Sequence, residues 1–154
     1  MSAENVDLVR RNFEAIQRAL DAYWREPRSI VKALDHGTLW PEWEAAFGFL
    51  HPDAEWRTVF LGQTFRGHRE FAGVWDDFLR AFRDYRPHLV EVEDMGGDRV
   101  YLVMEPEGVG RDSPLPMDWR LHSIFTVRDG LVVRLEEYLS SEEAMEAAGA
   151  GEQA

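Results

Sequence analysis

Residues 117–127 and 131–139 alternate apolar and polar side chains on either side of Asp129-Gly130, and no other feature limits the fold as much. A period of two describes a strand with one buried face. Asp-Gly between two such runs describes a tight hairpin. The chain must therefore build antiparallel sheet and cover one side of it. A two-residue loop at Asp129-Gly130 would set Phe125 opposite Arg134. A three-residue loop, Arg128-Asp129-Gly130, sets Val127 against Leu131, Phe125 against Val133 and Trp119 against Leu139. The second keeps apolar opposite apolar and is the expected register. It turns Met117, Trp119, Leu121, Phe125, Val127, Leu131, Val133, Leu135 and Leu139 toward one buried face, and two polar residues interrupt that row, Ser123 and Glu137.

The rest of the chain supplies the covering layer and more strands. Val6, Val9, Phe13, Ile16, Leu20 and Tyr23 recur at steps of three and four, which predicts an amphipathic helix over 5–25 that Pro27 ends. A short helix is expected over 30–36 with Gly37 as its cap, and a third beginning at Pro41, with Trp43, Phe47 and Leu50 on one side. Strands are expected over 54–60, where Trp56, Thr58 and Phe60 share a face, and over 63–66. The stripe Phe71, Val74, Trp75, Phe78 and Phe82 predicts a helix over 68–85, stopped at Arg86-Pro87. A hairpin of 88–95 with 99–109 turns at Gly96-Gly97-Asp98, and a last helix starts at Ser140, spaced from Glu143 as a capping box. The class is α+β, in one domain over 1–149 with a tail at 150–154 that should fray.

Six Trp and nine Phe are more ring than one helix-on-sheet layer readily absorbs, so some are expected to line a cavity. The partner such a cavity suits is a small apolar molecule. A net charge of −12, from 17 basic and 29 acidic residues, repels phosphate backbones and anionic lipid, so neither nucleic acid nor membrane is an expected partner. No apolar run approaches the roughly 20 residues that span a bilayer. The first residues are too polar for a secretory signal, which makes the cytoplasm the expected location. With no cysteine there is no thiolate chemistry and no thiolate metal site. The five histidines are scattered and no glycine loop joins a strand to a helix. Neither a metal centre nor a cofactor is expected.

Glu137 is the main candidate for chemistry. A carboxylate on an apolar face must find a partner, keep water, or shift its pKa upward, and a raised pKa suits a general acid or base near neutrality. The alternative is a position at the rim, paired with a surface Arg. Ser123 is expected one pairing position away on the diagonal, within reach of a direct or water-bridged hydrogen bond. Thr58 is the third polar candidate, the alternative being a hydroxyl bonded to backbone. Trp56, Phe60, Trp75 and Trp119 are the expected walls, with Leu121 and Phe13 beside them. Glu105 and His88 read as outward or edge residues, and His122 as a surface partner of Glu136.

The order of elements, with Asn5-Val-Asp-Leu-Val-Arg-Arg, His51-Pro-Asp-Ala-Glu-Trp, Phe65-Arg-Gly and the run from Phe125 to Tyr138, resembles the SnoaL-like branch of the nuclear transport factor 2-like superfamily. The resemblance covers nearly the whole chain. It implies a cone-shaped roll, a strongly curved mixed or antiparallel sheet with the N-terminal helices on its concave face enclosing a pocket, and a homodimer through the sheet. The fold hosts cyclases, isomerases, dehydratases, epoxide hydrolases and non-catalytic modules alike. Similar ketosteroid isomerases carry a tyrosine, an aspartate base and an acidic donor where this chain has Phe13, Thr58 and Ser123. Similar polyketide cyclases carry a histidine and an acid where it has Ser123 and Glu137, so of these roles only the acid has a counterpart. The segment 25–51 is longer than in short family members and is expected as a lid over the cavity mouth.

Overall fold

The computed structural model describes residues 2–59, 62–110 and 120–153. Helix α1 (Ser2–Arg25) is amphipathic as its spacing requires. Leu8, Val9 and Phe13 pack on Val100, Leu102, Phe125, Val127 and Val132 of the sheet. Further along, Ala15, Ala19 and Ala22 are small enough to bring neighbouring elements close, and Leu20 and Tyr23 fill the junction. Helix α2 (Ile30–His36) is anchored at both ends. Asp76 accepts hydrogen bonds from the Ser29 hydroxyl (2.8 Å) and the Ile30 and Val31 N–H groups (2.7 and 3.1 Å), satisfying donors that a helix start leaves open. Gly37, at φ 70°, closes the other end. Helix α3 (Pro41–Phe47) opens on proline and buries Trp43 completely.

Strands β1 (Leu50–Arg57), β2 (Thr64–Arg66), β3 (Phe82–Asp94), β4 (Arg99–Gly110), β5 (Leu121–Arg128) and β6 (Leu131–Tyr138) form one sheet in the order β2-β1-β6-β5-β4-β3. β1 runs parallel to β6 and the other neighbours are antiparallel. The sheet is mixed, curved and unclosed, with α1 and α4 (Gly67–Arg80) on its inner side. On the outer side α5 (Ser141–Gln153) buries Ala144 and Ala148 against Tyr101, Val103, Ile124 and Tyr138. The Ser140 hydroxyl caps it by accepting from the Glu143 N–H at 3.1 Å.

Four expectations change: β1 begins at Leu50, not 54, which takes Leu50 from the expected stripe of α3, and three more follow. β1 ends at Arg57, because Thr58 begins the turn toward β2, its N–H donating to the Gln63 carbonyl at 3.1 Å. α4 stops at Arg80, not 85, and residues 82–85 open β3. Pro87 disfavours helix at the residue before it, and from Tyr85 onward the chain alternates in and out with Arg86 and His88 exposed. The last hairpin has the two-residue turn, with Asp129 and Gly130 both at positive φ (52° and 76°) and Arg128 paired with Leu131. A bulge at Val133 then inserts one residue, so Val127 faces Val132 and Phe125 faces Leu135. The expected pairs Val127–Leu131 and Phe125–Val133 are therefore wrong. Val132, not Val133, enters the core, and Leu139 is 53% exposed. Trp119 and Met117 lie outside the described residues.

Candidate functional site

The curl of the sheet beneath α1 and α4 leaves a cavity of about 240 Å³. Asn12, Phe13 and Ile16 of α1 and Phe71, Val74, Trp75, Asp77 and Phe78 of α4 form one side. The strands supply Leu50 and Trp56 of β1, Tyr85 and Pro87 of β3, Leu102 and Met104 of β4, Leu121, Ser123 and Phe125 of β5, and Leu135 and Glu137 of β6, with Thr58 just beyond β1. Glu137, Ser123, Thr58, Trp56, Trp75, Leu121 and Phe13 thus meet around one space, while Phe60 and Trp119 lie outside the described residues.

Glu137 is 7% exposed and no Arg, Lys or His lines the cavity among the described residues. Its Oε1 accepts a hydrogen bond of 3.3 Å from the Val59 N–H. Burial pushes its pKa up to about 7. The Trp56 indole N–H and the Val59 N–H hold that rise in check, although the indole sits outside hydrogen-bond geometry. The bulge at Val133 sets Ser123 directly opposite Glu137, not on the diagonal. No direct hydrogen bond joins the two, and the Ser123 hydroxyl is buried at 4% exposure. The Thr58 hydroxyl is also buried and has no protein partner, contrary to a simple backbone-bonded role.

Tyr85 is the residue the sequence did not single out. It is 1% exposed and reaches the cavity from β3. Burial drives its hydroxyl far above the usual phenol range, and the charge of Glu137 across the cavity adds to the effect. The Phe71 to Phe82 stripe reaches Tyr85 in one more step of three, which disguised the strand as helix. The alternation of Tyr85 and Pro87 with Arg86 and His88 was the signal available.

Other expectations resolve outside the cavity. Residues 25–49 contribute nothing to its wall. Instead of a lid they form a buttress, with Trp43 meeting Trp75 edge to face at 5.7 Å and Asp35 held by both Nε and Nη2 of Arg69 at 3.0 Å. His122 lies opposite Tyr138, not Glu136, and shares a 2.7 Å hydrogen bond with the Tyr101 hydroxyl. Glu105 points outward to Arg120 at 2.8 Å, and exposed His88 pairs with Glu107. Among the described residues no group of three His, Asp or Glu is placed to hold a metal ion, and no helix is long and apolar enough to cross a membrane.

Solved structures share this architecture. A candidate SnoaL-like polyketide cyclase from Jannaschia sp. CCS1 superposes with a TM-score of 0.66 at 17% identity, covering 96% of this chain and 92% of that one. An NTF2-like protein of unknown function from Burkholderia pseudomallei K96243 gives 0.63 at 16%, covering 95% and 97%. TerC, co-crystallised with polyporic acid, gives 0.57 at 20%, covering 88% and 95%. At these identities the likeness is one of fold, and the fold is NTF2-like. The model of the SnoaL-like domain matches residues 28–135, and the chain belongs to that family. No curated protein matches the sequence.

Proposed function

We propose that this chain is a cofactor-independent enzyme of the isomerase, cyclase or lyase type, acting on a small, largely apolar carbonyl compound with Glu137 as base and acid. One observation carries the reading: a carboxyl group buried without a cation, facing an apolar cavity, with a pKa of about 7. Such a group is divided between its two protonation states at neutral pH, so it can take a proton and return it. The substrate C–H bond next to the carbonyl breaks, its proton forms an O–H bond on Glu137, and the electron pair moves onto the carbonyl oxygen. Return of the proton to a different carbon shifts the double bond, and attack of the carbanion on an electrophilic carbon closes a ring. Ser123 and Thr58 orient the substrate through their hydroxyls, that of Thr58 having no protein partner. The fold shared with a candidate polyketide cyclase fits this chemistry without specifying it.

The test is proton exchange on a ketone that fits. 2-Tetralone dissolved in D₂O with the protein should gain deuterium beside its carbonyl faster than in buffer, followed by proton NMR. If neither it nor any other one- or two-ring ketone gains deuterium faster, catalysis by Glu137 is excluded. The competing reading is a non-catalytic ligand-binding or accessory module. It is favoured by Phe13, Thr58 and Ser123, which occupy the cavity where similar ketosteroid isomerases place their acid–base groups. Under it, Glu137→Leu leaves ligand binding unchanged or tighter.

The proposal includes a homodimer. Val90, Leu139 and Met145 are the large apolar side chains exposed among the described residues, and a contact between copies would cover such positions. Light scattering should give twice the 17.8 kDa chain mass, and a mass equal to one chain at micromolar concentration would remove the dimer.

A further inference from the structure

β6 and β3 are separated in the sheet by β5 and β4, yet Glu137 and Tyr85 line the same cavity because the sheet curls. The position of Tyr85 is fixed from several sides. Its ring stands edge-on to Phe78 at 4.8 Å and tilts against Phe82 at 6.0 Å. Its carbonyl accepts from the Trp24 indole N–H at 2.9 Å, and the Pro87 carbonyl accepts from Gln17 at 3.0 Å, so α1 grips the start of β3 twice. Asp84, just before it, holds a left-handed φ of 54° within an irregular stretch of the β3–β4 ladder. Such strain persists where surrounding structure enforces it. All this places Tyr85 in the cavity wall, with its phenol near enough to Glu137 to feel that charge.

Besides Glu137, the lining side chains with polar atoms include Asn12, Ser123 and Asp77, the last exposed and paired with Arg80. Trp56 offers an indole N–H that can only donate and Thr58 a hydroxyl, both buried without a partner, and Tyr85 adds its phenol to the same wall. Glu137 supplies the buried carboxyl group of the lining. Unpartnered donors in a dry cavity are costly, so a fitting ligand brings oxygen acceptors to them. A carboxylate ligand would meet no cation among the described lining residues and would face Glu137. A volume of about 240 Å³ is below the roughly 300–1,000 Å³ of typical drug-sized pockets, so the ligand is compact.

Resting on the proton-transfer reading above, we infer that Tyr85 contacts the ligand directly, donating its hydroxyl proton to a carbonyl or enol oxygen of an uncharged one- or two-ring compound held between β3 and Glu137. In the reaction this bond strengthens as negative charge gathers on that oxygen. The hydroxyl remains a donor throughout, and no proton leaves it.

Three probes of one shape separate the possibilities: tetralin, 2-tetralone and protonated 2-aminotetralin, with affinities from calorimetry at pH 6. The wild-type protein should hold 2-tetralone about tenfold tighter than tetralin, the scale of one good hydrogen bond. Tyr85→Phe should erase most of that advantage and leave tetralin affinity unchanged, which also shows that the variant is folded. Equal weakening of both probes would make Tyr85 a packing residue only and overturn the inference, leaving the role of Glu137 untouched. Tightest binding of 2-aminotetralin would make the cavity a cation site and overturn it also. A wild-type ratio of one between tetralone and tetralin overturns it whether or not the variant folds. Binding of none of the three would overturn the inference, while the proposed function would still be decided by deuterium uptake across the ketone series.

Discussion

Glu137→Gln is expected to slow deuterium uptake by 2-tetralone by about 10²–10⁴-fold, the usual share of a positioned general base. Glutamine keeps the shape of the side chain and can still accept from the Val59 N–H, so the walls and the affinity for 2-tetralone should change little. A fall in rate with unchanged affinity is the mark of an interaction that acts on the reaction and not on binding. In the wild-type protein the rate should rise about tenfold per pH unit up to about 7 and then level off, as the carboxyl ionises. Full activity in the glutamine variant would remove Glu137 from the chemistry, whatever else the cavity does.

The same side chain should make the fold less stable as pH rises. Its pKa is about 7 in the folded chain against an ordinary 4.5 when unfolded. Between those values the folded state holds more protons than the unfolded one, so unfolding free energy falls with each increment of pH. Below about pH 4.5 the group is neutral in both states and costs nothing. Above pH 7 it is ionised in both, and the burial of its charge opposes folding by an amount on the order of 3 kcal/mol. Urea unfolding should therefore find Glu137→Gln more stable than wild type by about 2–3 kcal/mol at pH 8 and nearly equal to it at pH 5. Equal stability at both values would mean that the carboxylate is solvated in the folded protein. A functional group that destabilises its own fold is a familiar trade at reactive sites.

Much of this site was legible because strand parity survives local error. The turn at Asp129-Gly130 is one residue shorter than the pattern suggested, and Val133 is bulged out of the ladder. Past the bulge each β5 residue meets a β6 residue two places further along than expected, an even offset that leaves Glu137 on the inner face. Between turn and bulge the offset is odd, which is why Val132 replaces Val133 in the core. Nothing in Leu131-Val132-Val133 marks the bulge, since either valine suits a buried pleat. Tyr85 was hidden for a different reason. The apolar spacing of α4 runs on into β3 without a break, so a helical stripe and a strand alternation both fit residues 82–85. The segment 25–51 could not be placed from sequence because its role depends on Asp76 and Arg69, more than 30 residues away. Such long-range side-chain contacts leave no periodic trace.

Both largest effects depend on Glu137 being buried and unpaired by any cation. Its ionisation can be read directly by following the side-chain carboxyl ¹³C shift with pH, assigned by its loss in Glu137→Gln. A midpoint near 7, well above the ordinary 4.5 of a glutamate side chain, is the expected result. A midpoint near 4.5 would show an ordinary solvated carboxylate and contradict the proposal that this residue takes and returns a proton.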